Sequence, residues 1–340
     1  MPKLKLNIGS SAILQDMHAN SDTVPCHLYN GYAVKYGDDF TIYSNPGYAE
    51  FADTGKEGGI DGFYYSTIHD ICLIVCEGSL YELDSDGTLT AISGASLTSG
   101  TPVIFTEDAD SIAFAADSKI NLFSPSSGTV TVLGANSPNN VTHVGYLAGY
   151  LVANGDQAGG TPVPGDVHFS NDKTNNYVTW EFFNNELSAD SVESLLCTFN
   201  EIYAIGTETV EISYTTTDPN APFLPNKGAS QPIGTIAKRT LAYDQQSIYF
   251  LAKVAGAVRV VRLKGGRETQ IISFPMDVPI ESISDHSNAY AYICSFEGET
   301  FYVLTFPDTD FDIHGYYHTS ITLAFSVKSE TWSIWGEFQD

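Results

Sequence analysis

The chain has 340 residues, 41 acidic side chains against 15 basic ones and a formal net charge of −26, yet only 16% of its residues are charged. A shortage of Lys and Arg makes it acidic, and a composition that is 43% hydrophobic, with 20 Tyr and 19 Phe, can bury a sizeable core, which excludes wholesale disorder. Scattered Gly and Pro exclude a coiled coil, and so acidic a body does not hold nucleic acid by bulk charge, because phosphate contacts need a basic face.

The N-terminus, MPKLKLNIGSSAILQDMHAN, has no apolar run long enough for a signal peptide. No later stretch approaches the ~18 apolar residues of a membrane span. Synthesis in the cytoplasm and no membrane insertion are therefore expected. Residues 1–30 read as an N-terminal arm or closing segment, and 31–340 as the folded body.

From Gly62 onward the apolar segments are short and β-rich. The first group is FYYS, DICLIVCE, SLYELD and TLTAIS, with the turn Asp84-Ser85-Asp86-Gly87 before the last. The second is TPVIFTE, SIAFAAD, KINLFS and TVTVLG. The third runs from VTHVGYLAGYLVANG to DVHFSND. The fourth is SVESLLCTF, EIYAIGT and TVEISYTT. The fifth is IAKRTLAYD, SIYFLAK, VRVVRLK and TQIISF. The sixth is PIESIS, AYAYICSF, TFYVLTF, ITLAFSV and TWSIWGEF. Only a short helix is expected, around Ala189–Ser194. Two long segments, Asn154–Asn176 and Thr215–Gly234, are rich in turn formers and read as insertions of the kind that meets a partner.

A unit of about 35–45 residues with up to four strands is the signature of a propeller repeat. Radial packing covers the faces that a lone four-stranded sheet would expose. The fold expected is all-β: a β-propeller of six or seven blades with long inserted loops. A many-stranded sandwich is the competing architecture.

Chemistry is sparse. There is no nucleophile elbow, phosphate loop or zinc-protease helix. Asp308, Asp310 and Asp312 alternate and could wrap a cation, but they lack the Gly and late Glu of a calcium loop. His314 and His318 would share a face on one strand, with Asp310 or Asp312 as a third ligand. A solvated loop is the ordinary reading of both, and no metal, cofactor or catalytic residue is assigned. Cys26, Cys72, Cys76, Cys197 and Cys294 read as buried free thiols. Ser170-Asn171-Asp172 and Thr179-Trp180 resemble the Asp-box of sialidase-like propellers, but the spacing is too long and lacks Gly. Seven of the 15 basic residues, Lys238, Arg239, Lys253, Arg259, Arg262, Lys264 and Arg267, fall close together with Asp244 as the single acid among them. Such a stretch on an acidic body reads as a docking stripe for an acidic partner, including a neighbouring copy. Against that, Arg259 and Arg262 stand on opposite faces of one strand.

In the middle of the chain stand Ser170–Trp180, Glu201-Ile202-Tyr203 followed by Gly206–Glu211, and Asp218 with Pro222-Phe223. In this order they resemble the packaged-DNA stabilisation proteins, also called tail hub or nozzle proteins, of short-tailed bacteriophages. The resemblance continues through Gly234–Ala237, Ile248–Leu251 and Gly266–Ser273. Asn45-Pro46-Gly47, Gly58–Gly62 and Leu80–Leu83 extend it toward the N-terminus, so that it spans roughly residues 30–285. It implies a non-enzymatic virion protein without cofactors, assembled in the host cytoplasm. Six copies would form a ring below the portal and its adaptor. That ring would extend the channel for double-stranded DNA, retain the packaged genome and carry fibre, spike or needle proteins. Members continue beyond the last residue here, so the C-terminal end is open to being incomplete. Interface residues expected on this reading are Asp218, Pro222, Phe223 and Lys227 in the long loop, with Arg259, Arg262, Lys264 and Arg267 in the basic stretch. The alternative reading is a secreted-type propeller that binds or acts on carbohydrate.

Overall fold

The computed structural model of the chain describes residues 5–8, 23–26, 28–36, 39–45, 50–159, 163, 165–184, 190–313 and 316–336. Six antiparallel four-stranded sheets follow one another in sequence, the blades of a β-propeller. Blade 1 is Ile60–Ser66, Ile71–Cys76, Ser79–Leu83 and Leu89–Ala91. Blade 2 is Ile104–Glu107, Ile112–Ala116, Lys119–Ser124 and Thr129–Val132. Blade 3 is Val144–Leu147, Tyr150–Asn154, Asp166–Ser170 and Glu181–Asn184. Blade 4 is Ser194–Thr198, Glu201–Ile205, Val210–Thr215 and Phe223–Pro225. Blade 5 is Ala242–Tyr243, Ser247–Val254, Ala257–Lys264 and Glu268–Ile271. Blade 6 is Tyr290–Phe296, Glu299–Phe306, Ile321–Ser326 and Thr331–Trp335.

The turns follow from local chemistry. In blade 1, Asp86 accepts a bond from the Thr88 N–H at 2.9 Å. Gly87 closes that turn at φ +88°, a conformation that costs a side-chain-bearing residue energy.

Two compact units are present: Ala49–Gly234 and Met1–Tyr48 with Thr235–Asp340. Blades 1–4 make up the first. Their first strands run beside one another, so the first strand of each blade is inner and the fourth is its rim. Blade 2 shows why the inner segments read as unbroken apolar runs. Ile112, Phe114 and Ala116 pack toward Leu73, Val75 and Leu80 of blade 1. The alternate residues Ala113 and Ala115 pack toward Val144, Leu151 and Ala153 of blade 3. A strand covered on both faces leaves no polar alternation to see. Blades 3 and 4 meet through Val152, Val167 and Phe169 against Leu195, Ile202 and Phe223.

In the second unit, Tyr249, Leu251 and Val260 of blade 5 pack against Tyr302, Leu304 and Trp332 of blade 6. A two-stranded hairpin, Gly31–Tyr36 with Asp39–Ser44, seats Tyr32 and Val34 on Phe301, Val303 and Trp335. Just before it, Tyr29 bridges Ile334 in parallel. Ile334 N–H donates to Leu28 O at 2.8 Å, and Asn30 N–H donates to Ile334 O at 2.8 Å. The Asn30 amide then both donates to Gly336 O at 2.7 Å and accepts from Gly336 N–H at 2.9 Å.

Four local expectations are corrected. PIESIS is not a strand: Asp277–Ser282 is an α-helix that buries Ile280, with an acid in the first turn where the helix dipole favours it. Of the short helix expected around Ala189–Ser194, Ala189 lies outside the described residues; the described residues 190–193 are not helical, and Ser194 opens the first strand of blade 4. Thr215–Gly234 is not wholly an insertion, because Phe223–Pro225 is the rim strand of blade 4. Asn154–Asn176 likewise contains the third strand of blade 3.

Candidate interaction surfaces

The long loop of blade 4 is a tight turn on a buried foot. Thr216 N–H donates to Pro222 O at 2.7 Å and Ala221 N–H to Asp218 O at 3.1 Å. Asp218 accepts from the Asn220 N–H at 2.9 Å. Asp218 and Lys227 are exposed. Pro222 is buried, and Phe223 meets Tyr150 and Phe169 with ring centres 5.4 Å away. Phe223 is therefore core, and the two buried residues of this expected contact set face inward. The hairpin geometry explains why: the residues that re-enter the sheet must turn their side chains into it.

The basic stretch is also divided. Arg259 pairs with Asp277 at 3.1 Å and with Glu281, tying blade 5 to the short helix. Burial raises the Asp277 carboxyl above its usual value, against a Ser273 hydrogen bond and the Arg259 charge that lower it. Arg262 is 5% exposed. Its Nε donates to Ser247 Oγ at 3.0 Å, it pairs with Glu330 at 3.3 Å, and its guanidinium lies 5.9 Å from the Tyr249 ring centre. Arg262 is thus an internal cation and not part of an outward stripe. Arg239 lies over Tyr290 at 5.7 Å. Lys253 and Lys264 are exposed and Arg267 half-buried, so these three carry what is left of the expected docking stripe.

Two polar clasps in the first unit were not singled out from sequence. Asp108, 4% exposed, accepts from the Tyr177 hydroxyl, from Asp110 N–H at 2.7 Å and from Ser111 N–H at 2.9 Å, with Lys173 at 3.9 Å. Burial raises the Asp108 carboxyl, but these donors outweigh it and hold it below the usual carboxylate range. Burial and the same carboxylate push the Tyr177 phenol well above its ordinary value. Asp190 accepts from the N–H groups of Thr207, Glu208 and Thr209 at 3.0, 2.8 and 3.0 Å. That set outweighs burial and depresses its carboxyl too. A Cβ on Gly206 would come within 2.1 Å of Asp190 Oδ2, so this residue has to be glycine for the clasp to close. The signal available in sequence was Gly206-Thr207-Glu208-Thr209, a turn whose N–H groups converge on one acceptor.

The Asp-box-like segment forms its own turn despite the long spacing. Asp172 accepts from Thr179 N–H at 2.7 Å, and Trp180 Nε1 donates to Tyr177 O at 2.7 Å. Asn176 and Tyr177 both adopt positive φ, 53° and 54°, which does the work that Gly does in a shorter box. Nearby, between blades 3 and 4, a polar cleft of about 180 Å³ is lined by Asn140, Asn154, Asp156, Asp166, Ser191 and Glu193.

Among the described residues no group of three or more His, Cys, Asp or Glu is arranged to hold a metal. Asp308 N–H donates to Ser320 Oγ at 3.2 Å. The side chain of Asp312, and His314 altogether, lie outside the described residues. Phe311–Ile313 pairs antiparallel with Tyr316–His318, so the strand that holds His318 runs back along the one that ends at Ile313, and the expected single strand through both histidines is not formed. Cys72, Cys76, Cys197 and Cys294 are free. Burial pushes the thiols of Cys197 and Cys294 up to about 12 and about 11.

On so regular a repeated sheet, the order of blades and turns is the identifying feature. The model of one protein family, described as bacteriophage P22 Gp10, beta-propeller, matches residues 21–335. The chain belongs to this family. It is thereby a phage structural protein of the DNA-stabilisation type. A search of curated proteins finds no match. Among solved structures, the extracellular domain of a one-component system from B. thetaiotaomicron is similar at 10% identity and a TM-score of 0.51. That likeness covers 84% of this chain and 34% of the other, so this chain spans about a third of its length. Virginiamycin B lyase from Staphylococcus aureus is similar at 11% identity and a TM-score of 0.46, over 80% of this chain and 84% of the other. The first likeness shows the propeller fold alone, and the second carries no argument about activity. No helix among the described residues is long and apolar enough to cross a membrane.

Proposed function

We propose that the protein is a non-enzymatic hub of a short phage tail. On this reading six copies form a ring below the portal and its adaptor. The ring continues the DNA channel, retains the packaged genome and carries fibre, spike or needle proteins. Family membership over residues 21–335 supports it most directly. The charge of −26 fits a wall past which DNA must slide, since phosphate is repelled by like charge and held by a basic surface. Contacts with neighbouring proteins would involve Asp218 and Lys227 at the blade 4 loop, and Lys264 and Arg267 on blade 5. Assembly takes place in the host cytoplasm, and the finished protein resides in the virion.

The test is the mass of the purified protein in solution, alone and with a portal–adaptor complex. A stoichiometric ring on the complex is the expected result. A chain that stays monomeric and ignores the complex overturns the reading and returns the carbohydrate-binding propeller.

A further inference from the structure

The sequence holds two Asn-Gly pairs, Asn30-Gly31 and Asn154-Gly155. Such a pair carries its own reaction. The glycine nitrogen, losing its proton to base, attacks the asparagine side-chain carbonyl carbon. The side-chain nitrogen leaves as ammonia, taking a proton in return, and a cyclic imide closes. Water then opens one of the two imide C–N bonds, giving aspartate, or the other, giving isoaspartate. Glycine favours the attack because no Cβ shields its nitrogen or restrains the backbone that must bend toward the carbonyl.

At Asn30 the fold demands both residues. Asn30 sits at φ +47°, in the left-handed region that asparagine tolerates better than most side chains. A Cβ on Gly31 would come within 2.8 Å of Tyr43 O, so a glycine has to follow. The reactive pair is thus built into the turn that leads from Leu28–Asn30 to the hairpin. The Asn30 side chain is exposed. Its amide is committed to Gly336, donating to the carbonyl at 2.7 Å and accepting from the N–H at 2.9 Å. Asn154 is held quite differently. It is 3% exposed. Its Oδ1 accepts from the N–H groups of Thr142 and His143 at 3.0 and 2.8 Å, and its Nδ2 donates to Thr142 Oγ1 and Val192 O at 2.8 and 3.0 Å. Freeing Asn154 means opening the packed ends of blades 3 and 4, whereas freeing Asn30 means parting one surface contact.

We propose that Asn30 is a self-modification site: parting of Leu28–Asn30 from Ile334–Gly336 releases its amide to deamidate, and the product cannot restore the contact. An aspartate at this position has no hydrogen to give to Gly336 O and sets a negative charge against that oxygen. An isoaspartate also adds a main-chain carbon ahead of Gly31, which displaces the strand that seats Tyr32 and Val34 on blade 6. Each opening of this closure therefore risks a one-way chemical change. The chemistry needs no partner and stands apart from the ring reading.

The test ages the purified full chain in mildly alkaline buffer, natively and in concentrated urea, and follows Asn30 and Asn154 by tandem mass spectrometry. In the native chain Asn30 should convert at least about tenfold faster than Asn154, since local opening costs far less than opening a packed core. In urea the two should convert at similar rates, with Asn30 faster than in the native chain. The aged protein should melt roughly 2 °C lower, and fresh Asn30→Asp should show the same shift at once. Aged wild type supplies this readout if Asn30→Asp does not fold. An Asn30 that stays intact natively while converting in urea overturns the proposal. So does a native rate equal to the rate in urea, because the Gly336 contact then shields nothing. A chain converted at Asn30 that melts like unmodified protein also overturns it, because the closure then re-forms without its amide.

Discussion

Blade 5 and the rim of blades 1 and 2 use charge in opposite ways. Blade 5 lies in the stretch that holds seven of the 15 basic residues, yet its arginines are engaged within the fold. Arg262 is enclosed with Ser247, Tyr249 and Glu330, and Arg259 joins the helix at Asp277. The rim strands of blades 1 and 2, Leu89–Ala91 and Thr129–Val132, hold no charged residue of their own and are largely open to solvent. The two arginines of this run therefore serve internal structure, while Lys253 and Lys264 stand exposed beside them. Clustering along a sequence says how many charges are near one another, but the alternation of a strand decides which of them ever meet a partner.

Four substitutions break or sharpen this contrast, in descending order of expected effect. Arg262→Ala removes a largely enclosed guanidinium together with its contact on Tyr249. It should lower stability by roughly 3 kcal/mol, read as a shifted urea midpoint. An unchanged midpoint would mean that Arg262 is dispensable to blade 5. Asp190→Ala tests an anion that acts in blade 4 as Arg262 does in blade 5, with about 2 kcal/mol expected for a carboxylate bonded to three backbone donors. It has a pH signature as well. The Asp190 carboxyl is depressed in the fold, so its contribution is present above the ordinary Asp pKa of about 3.9 and is lost as pH falls through the lower folded value. Acid unfolding of Asp190→Ala should accordingly be shallower than that of wild type in this window, and identical slopes would exclude the clasp. Tyr177→Phe deletes the hydroxyl that meets Asp108 and should cost about 1 kcal/mol, visible as a lower melting temperature. Smallest of all, Lys264→Ala, at the exposed end of the third strand of blade 5, should change stability by less than about 0.5 kcal/mol. A loss comparable with that of Arg262→Ala would erase the distinction between enclosed and exposed cations.

Much of the blade order could be read from sequence because the turns announce themselves. The Asp84–Gly87 turn needs its glycine, and strands such as Ile112–Ala116 are apolar on both faces. The rim strands were harder. Phe223–Pro225 has three residues and ends in Pro, so it carries almost no strand signal. It is specified by the pocket that Tyr150 and Phe169 make for Phe223. PIESIS misled although Ile280 and Ile283 stand three apart, as on one face of a helix; Asp277–Ser282 takes up that spacing and buries Ile280. The clasps at Asp108 and Asp190 join residues far apart in sequence, and spacing along the chain gives no hint of which carboxylate among 41 will find them.

The parallel contact between Leu28–Asn30 and Ile334 has a mechanical consequence. Two strands that run the same way, one entering the body and the other leaving it, are loaded lengthwise when the chain is pulled from both sides. Every bond across them must then give at once, whereas an antiparallel pair gripped at one end peels open bond by bond. The backbone bonds at Ile334, reinforced by the two-way Asn30–Gly336 amide contact, make the closure of this unit a lap joint that resists shear.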